Sequence, residues 1–154
     1  MATATLWTSC DRPNSVDQPI AYNHEVHLKE VGMECSDCHK YFDELARAGI
    51  PTIAECADCH EEPNGESAAE ARVVEHVQNN EPIPWVLVNS LPQHVYFSHA
   101  RHVKLGRLEC AKCHGSMEDL NEPMREPFVP LSMDWCIDCH ESRDVSNDCI
   151  RCHL

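Results

Sequence analysis

Apolar residues recur at helical spacing along only one sustained stretch of this chain. In "GESAAEARVVEHVQNNEP", Ala69, Val73, His76 and Val77 follow one another at three- and four-residue intervals and so share a face. Ser67, with Glu70 three residues later, reads as a capping box, and the pattern predicts a helix over Ala68–Gln78. A shorter helix is expected in "KYFDELARAG", closed by Gly49, with Pro51 preventing its continuation. The run "PWVLVNSLP", boxed by Pro84 and Pro92, suits a short extended piece. Little else is periodic, so the pattern alone supplies no ordinary core.

The composition says what replaces it. Among 154 residues there are 11 cysteines and 11 histidines but only three each of Trp, Tyr and Phe. Ten cysteines fall into five Cys-x-x-Cys-His groups: Cys35, Cys38 and His39; Cys56, Cys59 and His60; Cys110, Cys113 and His114; Cys136, Cys139 and His140; Cys149, Cys152 and His153. In such a group the two thiols can add to the vinyl groups of a haem, and the adjoining imidazole meets the iron as proximal ligand. Zinc ribbons and thioredoxin-like sites also use Cys-x-x-Cys, and disulfide scaffolds use many cysteines, but none of these requires a histidine after the second cysteine at every occurrence. The reading is therefore five c-type haems. With 154 residues shared among five macrocycles, the macrocycles themselves become the apolar interior, and folding is expected to depend on their attachment.

A longer pattern repeats. "YNHEVHLKEVGMECSDCH" at 22–39 returns as "FSHARHVKLGRLECAKCH" at 97–114, with Tyr22/Phe97, His24/His99, His27/His102, Lys29/Lys104, Glu34/Glu109 and Cys35/Cys110 in register. Two imidazoles three residues apart leave a helical turn on the same side and can each reach a different neighbouring iron. His24, His27, His99 and His102 are thus candidate distal ligands, which leaves one iron short. For it the candidates are His94, His76 and Met133, the last three residues before Cys136. Methionine ligation would raise that haem's potential. The division that follows is an extension over 1–19, a half with two haems over 20–62, a connecting segment over 63–92 and a half with three haems over 93–154.

Charge narrows the partners. A formal net charge of −14 disfavours nucleic acid and anionic lipid surfaces, and the acidic stretches suit a solvated face or a docking patch for a basic carrier. Thioether attachment takes place outside the energy-transducing membrane, which implies the periplasmic side, although "MATATLWTSC" does not read as a signal peptide. Cys10, the cysteine outside the five groups, reads as a free or partnered thiol rather than a lipidation site. No segment is apolar enough to span a bilayer.

The order "QPIAYNHEVH", "GMECSDCH", "PIPWVLVNSLPQHVYFSHARHV", "LECAKCHG", "PLSMDWCIDCH" and "CIRCH" resembles the pentahaem cytochrome c subunit of alternative complex III, a quinol-oxidising membrane complex, and related subunits of other quinone-linked complexes. The likeness runs from Gln18 to His153. It implies a mostly irregular fold with short α-helices around five covalently bound haems, in two class III-like halves. It also implies that His24, His27, His99 and His102 are distal ligands, and it makes Met133 in "LSMDWC" the first choice for the fifth. The expected function is electron transfer within a quinol-linked complex. The partners would be an iron–sulfur subunit and a periplasmic electron carrier, with contact to the membrane only through partners or an anchor outside this sequence. Other classes of function are a multihaem reductase with an open haem position and a soluble or filament-forming electron carrier.

Overall fold

The computed structural model describes residues 15–153, and within them regular structure is short and follows the sequence punctuation. Six α-helices appear: α1 (Cys35–Cys38), α2 (Ile53–His60), α3 (Ala68–Gln78), α4 (Ala111–His114), α5 (Met133–Ser142) and α6 (Cys149–Cys152). Two wider, π-type turns occupy Val26–Glu30 and Arg101–Leu105. Among the described residues there is no strand; an isolated antiparallel bridge joins Val95 and His153.

Local capping explains where several helices start. Glu34 and Asp37 form a reciprocal box at α1, as do Thr52 and Glu55 at α2, satisfying backbone donors that a helix of one or two turns cannot satisfy internally. Ser132 Oγ accepts from Trp135 N (3.3 Å) at the start of α5. Helix α3 spans the predicted residues, and Ser67 Oγ accepts from Ala69 N (3.2 Å). The expected box is not closed, because Glu70 Oε1 accepts from Asn64 N (2.8 Å) in the preceding loop.

The conventional core is small. Ile20, Val73 and Ile83 are buried together, with Ile53 and Cys56 of α2, Ala69 and Val77 of α3 and Trp85 packed around them. The predicted apolar face of α3 is thus used, whereas the run after Pro84 forms no strand: Val86 bonds the Gln18 carboxamide through both its N–H (3.1 Å) and its C=O (2.8 Å). Fixing the backbone costs about 1–2 kcal/mol per residue, whereas full burial of an Ile or Val side chain contributes only about 1.5–3 kcal/mol. Four buried aliphatic residues, Val74 being the fourth, cannot order a chain of this length unaided.

The helix expected in "KYFDELARAG" does not form. Tyr41 N bonds Ala48 O (3.0 Å), closing the segment into a compact turn that ends at Gly49, whose φ of +84° carries the chain onward. The reason is tertiary: carbonyls that a helix would consume are used elsewhere, Leu45 O accepting from Ala100 N (3.1 Å) and Ala46 O from His99 N (3.0 Å).

The repeat seen in the sequence recurs in three dimensions. Asn23 Oδ1 accepts from Val26 N (3.1 Å) and Ser98 Oγ from Arg101 N (3.4 Å), each opening its π-type turn. The turns close with Val31 N to Val26 O (3.0 Å) and Gly106 N to Arg101 O (2.9 Å). The copies also exchange contacts. Glu25 N bonds Leu120 O (3.1 Å) and Lys29 pairs with Asp119 (2.8 Å); in register with them, Ala100 N bonds Leu45 O and Lys104 pairs with Asp43 (3.7 Å). Each histidine-bearing turn therefore docks on the loop that follows the other copy's Cys-x-x-Cys-His group. The ion pairs are exposed and add little stability; the backbone bonds fix the register.

Candidate haem sites

In a helical turn, positions i, i+3 and i+4 lie on one side, which is the spacing of both cysteines and the histidine in Cys-x-x-Cys-His. Helices α1, α2, α4, α5 and α6 each carry or adjoin one such group. None of the ten described cysteines is disulfide-bonded. Burial is the first cause raising the pKa of Cys38, Cys56, Cys110, Cys113 and Cys136 above the ordinary thiol value, with neighbouring thiols and carboxylates adding to it.

The imidazoles meet in twos. Centroid separations are 6.2 Å for His27 and His60, 6.3 Å for His99 and His114, 6.1 Å for His102 and His140, and 5.5 Å for His94 and His153. A metal–imidazole bond of about 2 Å puts two rings on opposite sides of one metal roughly 6 Å apart, and these spacings are compatible with that arrangement. For His39 the neighbours are electrostatic: it lies near His24 and near His114. The pKa of His24 is lowered to about 4, by burial first and then by its neighbours His39 and His27. His24 Nδ1 is buried with no hydrogen-bond partner. Among the described residues no three His, Cys, Asp or Glu side chains converge as they would around a bare metal ion.

Hydrogen bonding prepares the rings for ligation. His39 Nδ1 meets Gly49 O (2.7 Å), His140 Nδ1 meets Ser146 O (3.0 Å), His27 Nδ1 meets Asn23 O (2.8 Å), His99 Nδ1 meets Ala46 O (3.0 Å) and His102 Nδ1 meets Ser98 O (2.8 Å). A carbonyl only accepts, so in each case Nδ1 donates its hydrogen and Nε2 keeps the lone pair an iron needs. The aromatic residue of each repeat holds its pair in place. Tyr22 packs on His27 at 4.6 Å and edge-on to His24 at 4.8 Å, and Phe97 does the same to His102 at 4.4 Å and His99 at 4.9 Å. The residues present fit five haems.

The six spare histidines and the methionine are thus sorted by position. His27, His99 and His102 face the imidazoles of His60, His114 and His140, and His24 is an electrostatic neighbour of His39. His94 faces His153, brought there by the Val95–His153 bridge and the bond from Tyr96 N to Cys152 O (2.7 Å). Met133, the first choice by resemblance, is the first residue of α5 and is 62 % exposed. His76 sits on α3 with Nδ1 3.3 Å from Glu81 O. Cys10 lies outside the described residues.

The thiols define an order in space. We number the groups I to V along the chain. Cys38 and Cys56 are electrostatic neighbours, linking groups I and II. Cys35 and Cys110 are likewise electrostatic neighbours, linking I and III. Cys113 neighbours Cys139, and Cys136 neighbours Cys152, linking III to IV and IV to V. His114 is likewise depressed by burial, then by His99 of its own pair and His39 of group I. The sequence of contacts is II, I, III, IV, V.

Comparison with known proteins agrees with this chemistry. The class III cytochrome c family matches residues 4–83, and the family of cytochrome c7 and related cytochromes c matches residues 95–154. A menaquinone reductase multihaem cytochrome c subunit from Nitratidesulfovibrio vulgaris is 39 % identical over 99 residues, which is 64 % of this chain and 46 % of that subunit. The chain thus spans under half the length of this curated relative. Among the described residues no helix is long and apolar enough to cross a membrane.

Proposed function

The chain belongs to the class III cytochrome c family of multihaem electron-transfer proteins, and on that premise we propose that it binds five c-type haems and serves as an electron-transfer subunit of a quinone-linked membrane complex. The attachment residues are Cys35 and Cys38, Cys56 and Cys59, Cys110 and Cys113, Cys136 and Cys139, and Cys149 and Cys152. The axial pairs are His24 with His39, His27 with His60, His99 with His114, His102 with His140, and His94 with His153. His94 takes the position for which Met133 was the first choice, because Met133 is exposed while His94 faces an otherwise unpaired proximal imidazole.

Bound haem supplies a one-electron couple at iron. The chain's residues position it and close it off. The observation that carries the function is that His60, His114, His140 and His153 each face a second imidazole and that His39 has His24 as an electrostatic neighbour, so a second histidine is at hand for every proximal one. This favours a wire over a reductase with an open site. Since each pair is drawn from a single chain, a filament built on ligands exchanged between protomers is also disfavoured.

The contact order II, I, III, IV, V supports a linear path whose ends lie at groups II and V. The two histidine pairs bridge adjacent steps, His24 and His27 serving I and II, and His99 and His102 serving III and IV. The division into halves over 20–62 and 93–154 becomes, in this reading, two interlocked units joined at groups I and III.

The relative named as a subunit of menaquinone reductase supports partner subunits of a quinone-linked complex, and an iron–sulfur subunit is proposed among them on the resemblance alone. The resemblance to the alternative complex III subunit points to the same kind of assembly. Attachment of c-type haem supports a location on the periplasmic side, where the charge of −14 would suit a basic electron carrier. Purification of the native protein tests the assignment: recovery with quinone-binding and iron–sulfur subunits supports it, and recovery as an isolated monomer contradicts it.

A further inference from the structure

Group II differs from the others in what its proximal histidine leans on. His60 ends α2, and its Nδ1 lies 3.2 Å from Glu70 Oε1, at an angle short of a hydrogen bond. The His60 and Glu70 side chains are only 21 % and 14 % exposed. His39 and His140 instead meet backbone carbonyls, and His114 meets the Asn89 carboxamide at 3.2 Å.

The fold holds this carboxylate in place. Helices α2 and α3 pack as an antiparallel-chain hairpin around the small core, and Glu70 stands in the first turn of α3. The loop between them is folded back by Asn64, whose Nδ2 donates to Cys59 O (2.9 Å) and whose backbone N donates to Glu70 Oε1 (2.8 Å). Gly65 gives the other carboxylate oxygen room: a Cβ there would lie 3.2 Å from Glu70 Oε2. The capping box predicted for Glu70 is therefore left open, and its carboxylate is turned toward the histidine.

A carboxylate on the far nitrogen of a metal-bound imidazole orients the ring and makes it a stronger donor. A stronger donor favours ferric over ferrous iron and lowers the potential. A neutral carbonyl does this more weakly.

We propose that Glu70 is the positioning residue of His60 and holds the potential of group II below that of groups I and IV, whose proximal imidazoles meet carbonyls. This rests on the ligation proposed above. It gives the terminal group at the II end of the path a built-in low potential, and it assigns that property to a side chain outside every Cys-x-x-Cys-His motif.

The test is an optical redox titration of the holoprotein carrying Glu70→Gln or Glu70→Asp. Gln keeps an acceptor for Asn64 N–H and removes only the charge, so the loop stays closed. The component belonging to group II is identified as the one that His27→Ala converts to high spin. The expected result is that Glu70→Gln moves this component to higher potential and leaves the others in place, while Glu70→Asp stays near the parent. Unchanged potentials in Glu70→Gln, or an equal shift of every component, would overturn the role of Glu70. Haem content of the parent separates the two readings: absence of the group II haem refutes the ligation as well, whereas its presence with an unmoved potential refutes Glu70 alone.

Discussion

His94 and Met133 are the two candidates for one iron in the proposed set, and where the chain brings each side chain favours His94. His94 faces His153 at 5.5 Å, whereas Met133 opens α5 with most of its surface exposed. We predict that His94→Ala converts one haem to a high-spin or alternatively ligated form. Met133→Leu keeps volume and should leave every spectral and redox component unchanged, with stability altered by less than about 1.5 kcal/mol. Loss of the highest-potential component in Met133→Leu would reverse the assignment. The attachment residues and proximal histidines could be read from the sequence because the motif is contiguous. The partner of His153 could not, since the contact spans most of the second half and depends on the Val95–His153 bridge.

At the scale of elements, spacing foretold the histidine pairs, and the structure adds how they are held. Two rings three residues apart, His99 just before the π-type turn and His102 on it, are each packed against Phe97 and point to different neighbours. Accordingly His99→Ala and His102→Ala should each perturb a different haem, seen as distinct components lost in spin-resonance spectra; loss of the same component in both would contradict the model of split pairs. Gly115, just after group III, has φ of +68°, and a Cβ there would come within 2.5 Å of the Phe128 ring. Gly115→Ala should destabilise the holoprotein by at least about 1 kcal/mol, read from its thermal midpoint. Helix α3 was legible because its apolar face packs on a core of its own; the turn over 40–49 was not, because its carbonyls are taken by the other copy of the repeat, a contact some fifty residues distant that local pattern does not encode.

At the scale of the whole molecule, a core of four buried aliphatic residues and an irregular backbone leave the interior to the cofactors. Protein made without haem attachment should therefore lack a cooperative unfolding transition and resist no protease, and a well-folded apoprotein would contradict this. Association with a basic partner should weaken steeply with salt, given the charge of −14. Two interlocked copies of one pattern and four facing imidazole pairs, with His24 and His39 as electrostatic neighbours, support a single central claim, that five irons are each held by two histidines of this chain. Haem content and low-temperature spin resonance on one purified sample test it most directly: the account predicts five haems per chain, all low-spin with two imidazoles, and fewer than five haems, a high-spin iron or a histidine–methionine component would contradict it.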